Sequence, residues 1–105
     1  MAVVISKGAD LDIPFRCRLD GDIVPPENIA ALEIYVGPYR KTYPGGGITL
    51  SGGYFLFPLS QQETFRIDNN VIVMTGRMKV VGSTHVTPIH FPAVRVEDYP
   101  GREII

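Results

Sequence analysis

The chain has 105 residues, 45% of them hydrophobic, and a formal charge of −1. That length fits one domain over 1–105, and that composition supplies a real core. The charge gives no reason to expect nucleic acid or an anionic membrane as partner, since both call for a basic patch. The one cysteine excludes an internal disulfide or a thiolate cluster.

The opening run "MAVVISK" is too short for a signal peptide and lacks a basic start. No window reaches the apolar length of a membrane span. The expectation is a protein made in the cytoplasm. The 11 glycines and 9 prolines are spread along the chain, which suits short strands joined by turns.

The first predicted strand is Asp10–Leu19, strictly alternating. Leu11, Ile13, Phe15, Cys17 and Leu19 share the inward parity; Asp12, Arg16 and Arg18 share the outward one. Pro14 lacks an N–H, so this strand belongs at a sheet edge or carries a bulge. "DGD" at Asp20–Asp22 turns the chain, and the prolines of "VPPENI" forbid a central strand there. The second strand covers Ala31–Val36, with Leu32, Ile34 and Val36 on one face. Gly37-Pro38 interrupts it, and Tyr39–Tyr43 follows as a short exposed strand. Ile48–Leu50, a turn at Ser51–Gly53 and a strand at Tyr54–Leu59 come next. Ser60 and Glu63 have capping-box spacing, which predicts a single helical turn before "DNN" at Asp68–Asn70.

The last third reads as a hairpin with arms Val71–Val81 and Thr84–Val96 around a two-residue turn at Gly82-Ser83. That turn pairs Met78 with Thr87, Met74 with Phe91 and Ile72 with Ala93. The predicted core face is Ile72, Met74, Met78, Ile89, Phe91 and Ala93, with His85 on the same side near the tip. Thr75, Arg77, Lys79, Pro88 and His90 take the other face. Val94 and Val96 fall on the wrong parity for this register, so a one-residue slip is expected near Pro92. About seven short strands and one helical turn near 60–66 predict an all-β antiparallel sandwich, with a small open barrel as the alternative.

Chemistry is sparse. His85 and His90 fall on opposite faces of the ribbon, and no HxH or CxxC spacing is present, so no metal is expected. The Asp20-Gly21-Asp22 group lacks the further ligands of a calcium loop. "PGGGITLSGGY" lacks the Lys-Ser or Lys-Thr and the helix of a phosphate loop. Cys17 lies on an apolar parity and reads as a small buried hydrophobe. The sequence therefore predicts no catalytic residue and no cofactor. Tyr35, Tyr39 and Tyr43 recur every four residues with Arg40 among them. Tyrosine and arginine are favoured at interfaces, so Tyr35, Tyr39, Arg40 and Tyr43 are the candidate contact residues. A stacking platform for carbohydrate is the rival reading, and scattered surface aromatics on strands are the plain one.

The order of features also resembles a known family. "KGADLDIPFRCRLDGDIVPPENI", "LEIYVGP", "GGYFLFPLSQQETFRI" and "VIVMTGRMKVVGSTHVTPIHFPAVRVED" resemble in turn the opening strand and turn, second strand, strand with helical turn, and closing hairpin of a phage baseplate domain. The chain is similar to the N-terminal domain of phage baseplate upper proteins. The resemblance implies an immunoglobulin-like sandwich and a structural role in a phage or prophage tail, in baseplate or fibre attachment. It implies other virion proteins, or further copies of the chain, as partners, a final location in the virion, and no catalytic residues. In that family long C-terminal segments follow, whereas this sequence stops at Ile105, so a stand-alone adaptor or small tail component is the expectation. Its contacts would bury an open strand edge and an aromatic patch.

Overall fold

The computed structural model describes residues 4–67 and 70–97. In chain order its strands are β1 (Val4–Ser6), β2 (Leu11–Phe15), β3 (Arg18–Leu19), β4 (Asp22–Ile23), β5 (Ile29–Val36) and β6 (Tyr39–Tyr43). Then come β7 (Thr49–Ser51), β8 (Tyr54–Leu59), β9 (Val71–Ile72), β10 (Met74–Val80), β11 (Val86–His90) and β12 (Val94–Glu97). A 3-10 turn at Pro26–Asn28 and a helix α1 (Gln61–Phe65) complete the described elements. Asp68 and Asn69 of the "DNN" turn lie outside the described residues.

Three strands in the order β2-β8-β7 form one sheet, and four in the order β11-β10-β5-β6 form the other. The chain crosses between them after β2, after β6 and after β8. That makes a two-sheet antiparallel β-sandwich, with its second long arm, β5, set between β6 and β10. β9 and β10 are one interrupted arm, and β11 and β12 another, so the described residues hold seven such arms, with β1 and the β3–β4 hairpin in addition. The pairing within the two sheets is antiparallel. The sequence reading missed β1, which pairs parallel with β12 through Ile5 opposite Val96, with Ile5 fully buried. Within the short apolar run of the sequence, Val4–Ser6 is a strand.

Side-chain parity explains the core. In β5, Leu32, Ile34 and Val36 point inward, and in β8, Phe55, Phe57 and Leu59 do so. Ile29 is also buried, although its parity is odd. The register between β5 and β10 shifts at Lys79/Val80, which turns Ile29 back toward the core. Phe15 stacks on Phe55 within one sheet at 5.6 Å, and aromatic rings also reach across: Phe15 meets Phe91 edge-on at 5.5 Å, and Tyr43 meets Phe55 edge-on at 5.0 Å.

The first predicted strand is broken. β2 ends at Phe15, and Arg18–Leu19 form a separate hairpin with Asp22–Ile23 around Asp20 and Gly21, both at positive φ. Leu19 is therefore 42% exposed rather than part of the core, in a hairpin that pairs with neither sheet of the sandwich. Cys17 is still buried. Pro14 sits at an edge, as its missing donor requires.

In the closing hairpin Met78 does pair with Thr87. Thr75 faces His90, yet Ile72 faces Val94 instead of Ala93, so the register slips by one residue across the segment holding Pro92. Val94 and Val96 are thereby buried, and Ala93 is exposed where the core had been expected. The tip is longer than predicted. Ser83 donates to the Val80 carbonyl at 3.0 Å, and β11 starts at Val86. The added residues fall on both arms, so the register survives. His85 lies in this tip and is exposed rather than core-side.

Candidate functional site

β5 and β6 are joined by the two-residue turn Gly37-Pro38, with Gly37 at positive φ. Glycine at the first central position suits a II′ turn, whose twist matches paired strands. Such a turn sets Val36 opposite Tyr39 and Tyr35 opposite Arg40. Opposed residues share a face. Tyr35 and Arg40 therefore point outward, while Tyr39, Lys41 and Tyr43 point toward the core. The expected exposed strand is two-sided, and the three tyrosines do not form one platform. Tyr39 and Tyr43 pack against the core. The Tyr39 hydroxyl donates to the Glu63 carbonyl at 2.9 Å. Burial pushes its phenol above the ordinary range, and the Glu63 charge adds to this. A carbohydrate reading built on Tyr35, Tyr39 and Tyr43 together loses its surface. The turn signal was readable in "VGPY"; treating it as an interruption hid the change of face.

The outward face gathers residues the sequence scatters. Three rows cross it: His90, Thr75, Tyr35 and Arg40; Pro88, Arg77, Glu33 and Thr42; Val86, Lys79 and Ala31. Glu33 sits between two arginines. Arg40 reaches its Oε2 through Nε at 2.8 Å and Nη2 at 2.6 Å. Arg77 reaches its Oε1 through Nε at 3.0 Å and Nη2 at 2.6 Å. The hydrogen bonds from Arg40 and then Arg77 hold the Glu33 carboxyl below its usual range. The same contact with Glu33 raises Arg40 further, with Tyr35 contributing. These pairs are open to solvent, so their effect is on side-chain order more than on stability. Two long arginines are held in fixed positions beside an exposed tyrosine. The sequence alone could not show this, because it does not reveal that β10 lies beside β5 with Arg77 opposite Glu33.

A second polar group anchors α1. Ser60 and Glu63 form the predicted capping box: Glu63 N–H donates to Ser60 Oγ at 3.1 Å, and Ser60 N–H donates to Glu63 Oε1 at 2.9 Å. Gln61 N–H donates to Asp10 Oδ1 at 2.6 Å. Lys41 donates to the Pro58 carbonyl and pairs with Glu63 at 3.0 Å. Thr64 is fully buried; its hydroxyl accepts from Gly8 N–H at 2.9 Å and lies 3.0 Å from the Ala9 carbonyl. These contacts pin Gly8–Asp10 to the helix.

Burial pushes the Glu63 carboxyl up, but the Ser60 N–H and Lys41 outweigh it and the net shift is downward. A carboxyl depressed in the folded state stabilises above its unfolded pKa, and that gain is lost as pH falls through the folded value. The expected result is that the stability difference between wild type and Glu63→Gln, read by urea unfolding, shrinks as pH drops below the ordinary value of 4.5. A difference that stays constant from pH 7 to pH 3 would remove the ionised cap from the account.

The residues with reactive potential have structural partners. Burial pushes the Cys17 thiol up to about 12, so it is a core residue and not a thiolate at neutral pH. Asp10 caps α1, and Asp20 occupies a turn at φ +52°. Among the described residues no group of three or more His, Cys, Asp or Glu side chains is placed to hold a metal ion. No helix of the described residues is long and apolar enough to cross a membrane.

Compared with protein-family models, curated proteins and solved structures, the chain matches none of them.

Proposed function

We propose that this chain is a non-enzymatic structural or adaptor protein that works through protein–protein contact. The observation that carries the reading is the outward face of the four-stranded sheet, where Tyr35 stands beside two arginines fixed by Glu33. Tyrosine and arginine supply much of the energy of protein interfaces, and side chains ordered in advance lose less entropy on binding. The resemblance to phage baseplate upper proteins supplies the setting: a phage or prophage tail, in baseplate or fibre attachment, with other tail proteins or further copies as partners.

The contact uses a face, not a strand edge. Pro14 and Pro58 lie on the same parity of the β2–β8 pairing, and neither has an N–H to donate. Their rows are therefore the non-hydrogen-bonded ones, and Pro14 turns its ring nitrogen to the open side of β2. Pro88 does the same on β11. On β6, Thr42 already receives the Gly46–Ile48 segment: its N–H donates to the Gly46 carbonyl, and its own carbonyl accepts from Ile48. Edges interrupted in this way are poor templates for another strand.

The test is co-expression with the tail proteins encoded nearby, followed by solution mass measurement. A defined assembly is expected with the wild type. Tyr35→Ala combined with Arg77→Ala should weaken it about 30-fold or more, the scale of losing one strong interface residue, with an unchanged melting temperature. If the wild type stays monomeric alone and with every such partner, the proposal is wrong.

A further inference from the structure

The two sheets part on the side where β2 and β11 are the edge strands, leaving a cleft of about 390 Å³. That is within the size range of a binding pocket. Its floor is apolar: Phe15, Met74 and Ile89 are buried there, with Phe91 half-buried beside them. Its rim carries Arg16, Arg18 and Tyr54 on one side and His90 and Pro92 on the other. Among the described residues, no carboxylate lines it.

The arginines of this rim differ from those on the sheet face. Arg40 and Arg77 are committed to Glu33. Among the described residues, Arg16 and Arg18 make no ion pair. The Arg16 guanidinium lies 4.0 Å from the centre of the Tyr54 ring, whose π face orients it without neutralising it. Arg18 gives one N–H to the Gly21 carbonyl at 3.2 Å and keeps its charge. An apolar floor beneath unneutralised guanidinium groups is complementary to an apolar group that carries a carboxylate beside it.

We infer that this cleft docks a partner-protein segment in which a large apolar side chain is flanked by acidic residues. The side chain fills the floor over Phe15 and Phe91, and the carboxylates meet Arg16 and Arg18. The commitment to a peptide comes from the β2 edge. The parity that turns Pro14 outward leaves the Asp12 N–H and the Pro14 carbonyl on the open side as well. Peptide backbone satisfies them, and an alkyl chain does not. Pro14 interrupts that edge, so the segment anchors by its side chain instead of adding a full strand. The inference rests on the adaptor reading for the kind of partner it names.

The test uses the purified chain alone. Three probes are titrated into isotope-labelled protein and followed by NMR: the blocked peptides Glu-Glu-Phe-Glu-Glu and Lys-Lys-Phe-Lys-Lys, and dodecanoate. The acidic peptide is expected to shift the amides of Phe15, Arg16 and Phe91, and the basic one to leave them unmoved. Arg16→Gln with Arg18→Gln should weaken the acidic peptide tenfold or more, while Tyr35→Ala with Arg77→Ala leaves its affinity unchanged. Equal binding of the two peptides, full binding by the Arg16/Arg18 variant, or binding of dodecanoate without the acidic peptide would each overturn the inference. A blank here, with tail-protein assembly through the sheet face intact, removes the cleft and leaves the adaptor reading standing.

Discussion

Phe55→Ala will lower the folding free energy by about 3–5 kcal/mol, the usual loss for emptying a buried phenylalanine site. Phe55 is 1% exposed, on the central strand of the three-stranded sheet. Its ring stacks on Phe15 at 5.6 Å within that sheet and receives the edge of Tyr43 from the other sheet at 5.0 Å. Alanine removes one wall of both contacts at once. The neighbouring strands are held by backbone hydrogen bonds, so the cavity cannot simply collapse. A domain of this length has about 5–15 kcal/mol of stability in all, so this loss takes a large fraction of it. The control is Leu50→Ala. Leu50 stands directly opposite Phe55 but is 43% exposed at the sandwich rim, and should change stability by under about 1 kcal/mol. Urea unfolding followed by circular dichroism reads both. A loss below about 1.5 kcal/mol for Phe55→Ala would mean that the two sheets are not joined through this ring.

How much of this could be read in advance depends on how local each signal is. β8 and its neighbours were legible because every determinant lies close in sequence: glycines for the turn, alternation for the faces, Ser60 and Glu63 for the cap. The slip near Pro92 was legible because Val94 and Val96 disagree in parity with Phe91. The break after β2 was not. Alternation continues from Phe15 through Cys17 to Leu19, and only the separate pairing of β3 with β4 goes with the exposure of Leu19. β1 was missed because three residues carry no period, and their parallel partner lies about ninety positions away. At the sheet face, Tyr35 and Arg40 were found, but through a four-residue spacing that has no meaning across a hairpin. Glu33, which fixes both arginines, was overlooked because its role exists only once β5 lies between β6 and β10. The cleft was invisible for the same reason: Arg16 and Phe91 directly follow edge strands of different sheets and meet at a shared opening.

Gly76 is where fold and proposed contact face depend most directly on one residue. It lies mid-strand in β10, between Ile34 of β5 and Ile89 of β11. A Cβ added there would stand 2.5 Å from the Glu33 carbonyl oxygen and 2.6 Å from Ile34 Cδ1. The carbonyl is backbone in a central strand, so relief requires moving β5 away from β10. Gly76→Ala is expected to destabilise by about 3 kcal/mol, at the upper end for inserting one methyl group into a packed site, and Gly76→Val by more. Gly82 provides the contrast. An added Cβ there meets nothing within 4 Å, but the residue sits at φ +81°. Gly82→Ala should therefore cost about 1–2 kcal/mol for backbone conformation alone. Asparagine tolerates that conformation better than alanine, so Gly82→Asn should recover part of the loss, while Gly76→Asn should be at least as damaging as Gly76→Ala. The steric cause makes a further demand. A displaced Glu33 carbonyl moves the side chain that fixes Arg40 and Arg77, so whatever Gly76→Ala protein still folds should bind tail partners less tightly than Gly82→Ala protein of comparable stability. A Gly76→Ala chain that unfolds at the wild-type midpoint would show that β5 and β10 have room between them, and the close seating of Glu33 beside Arg77 would go with it.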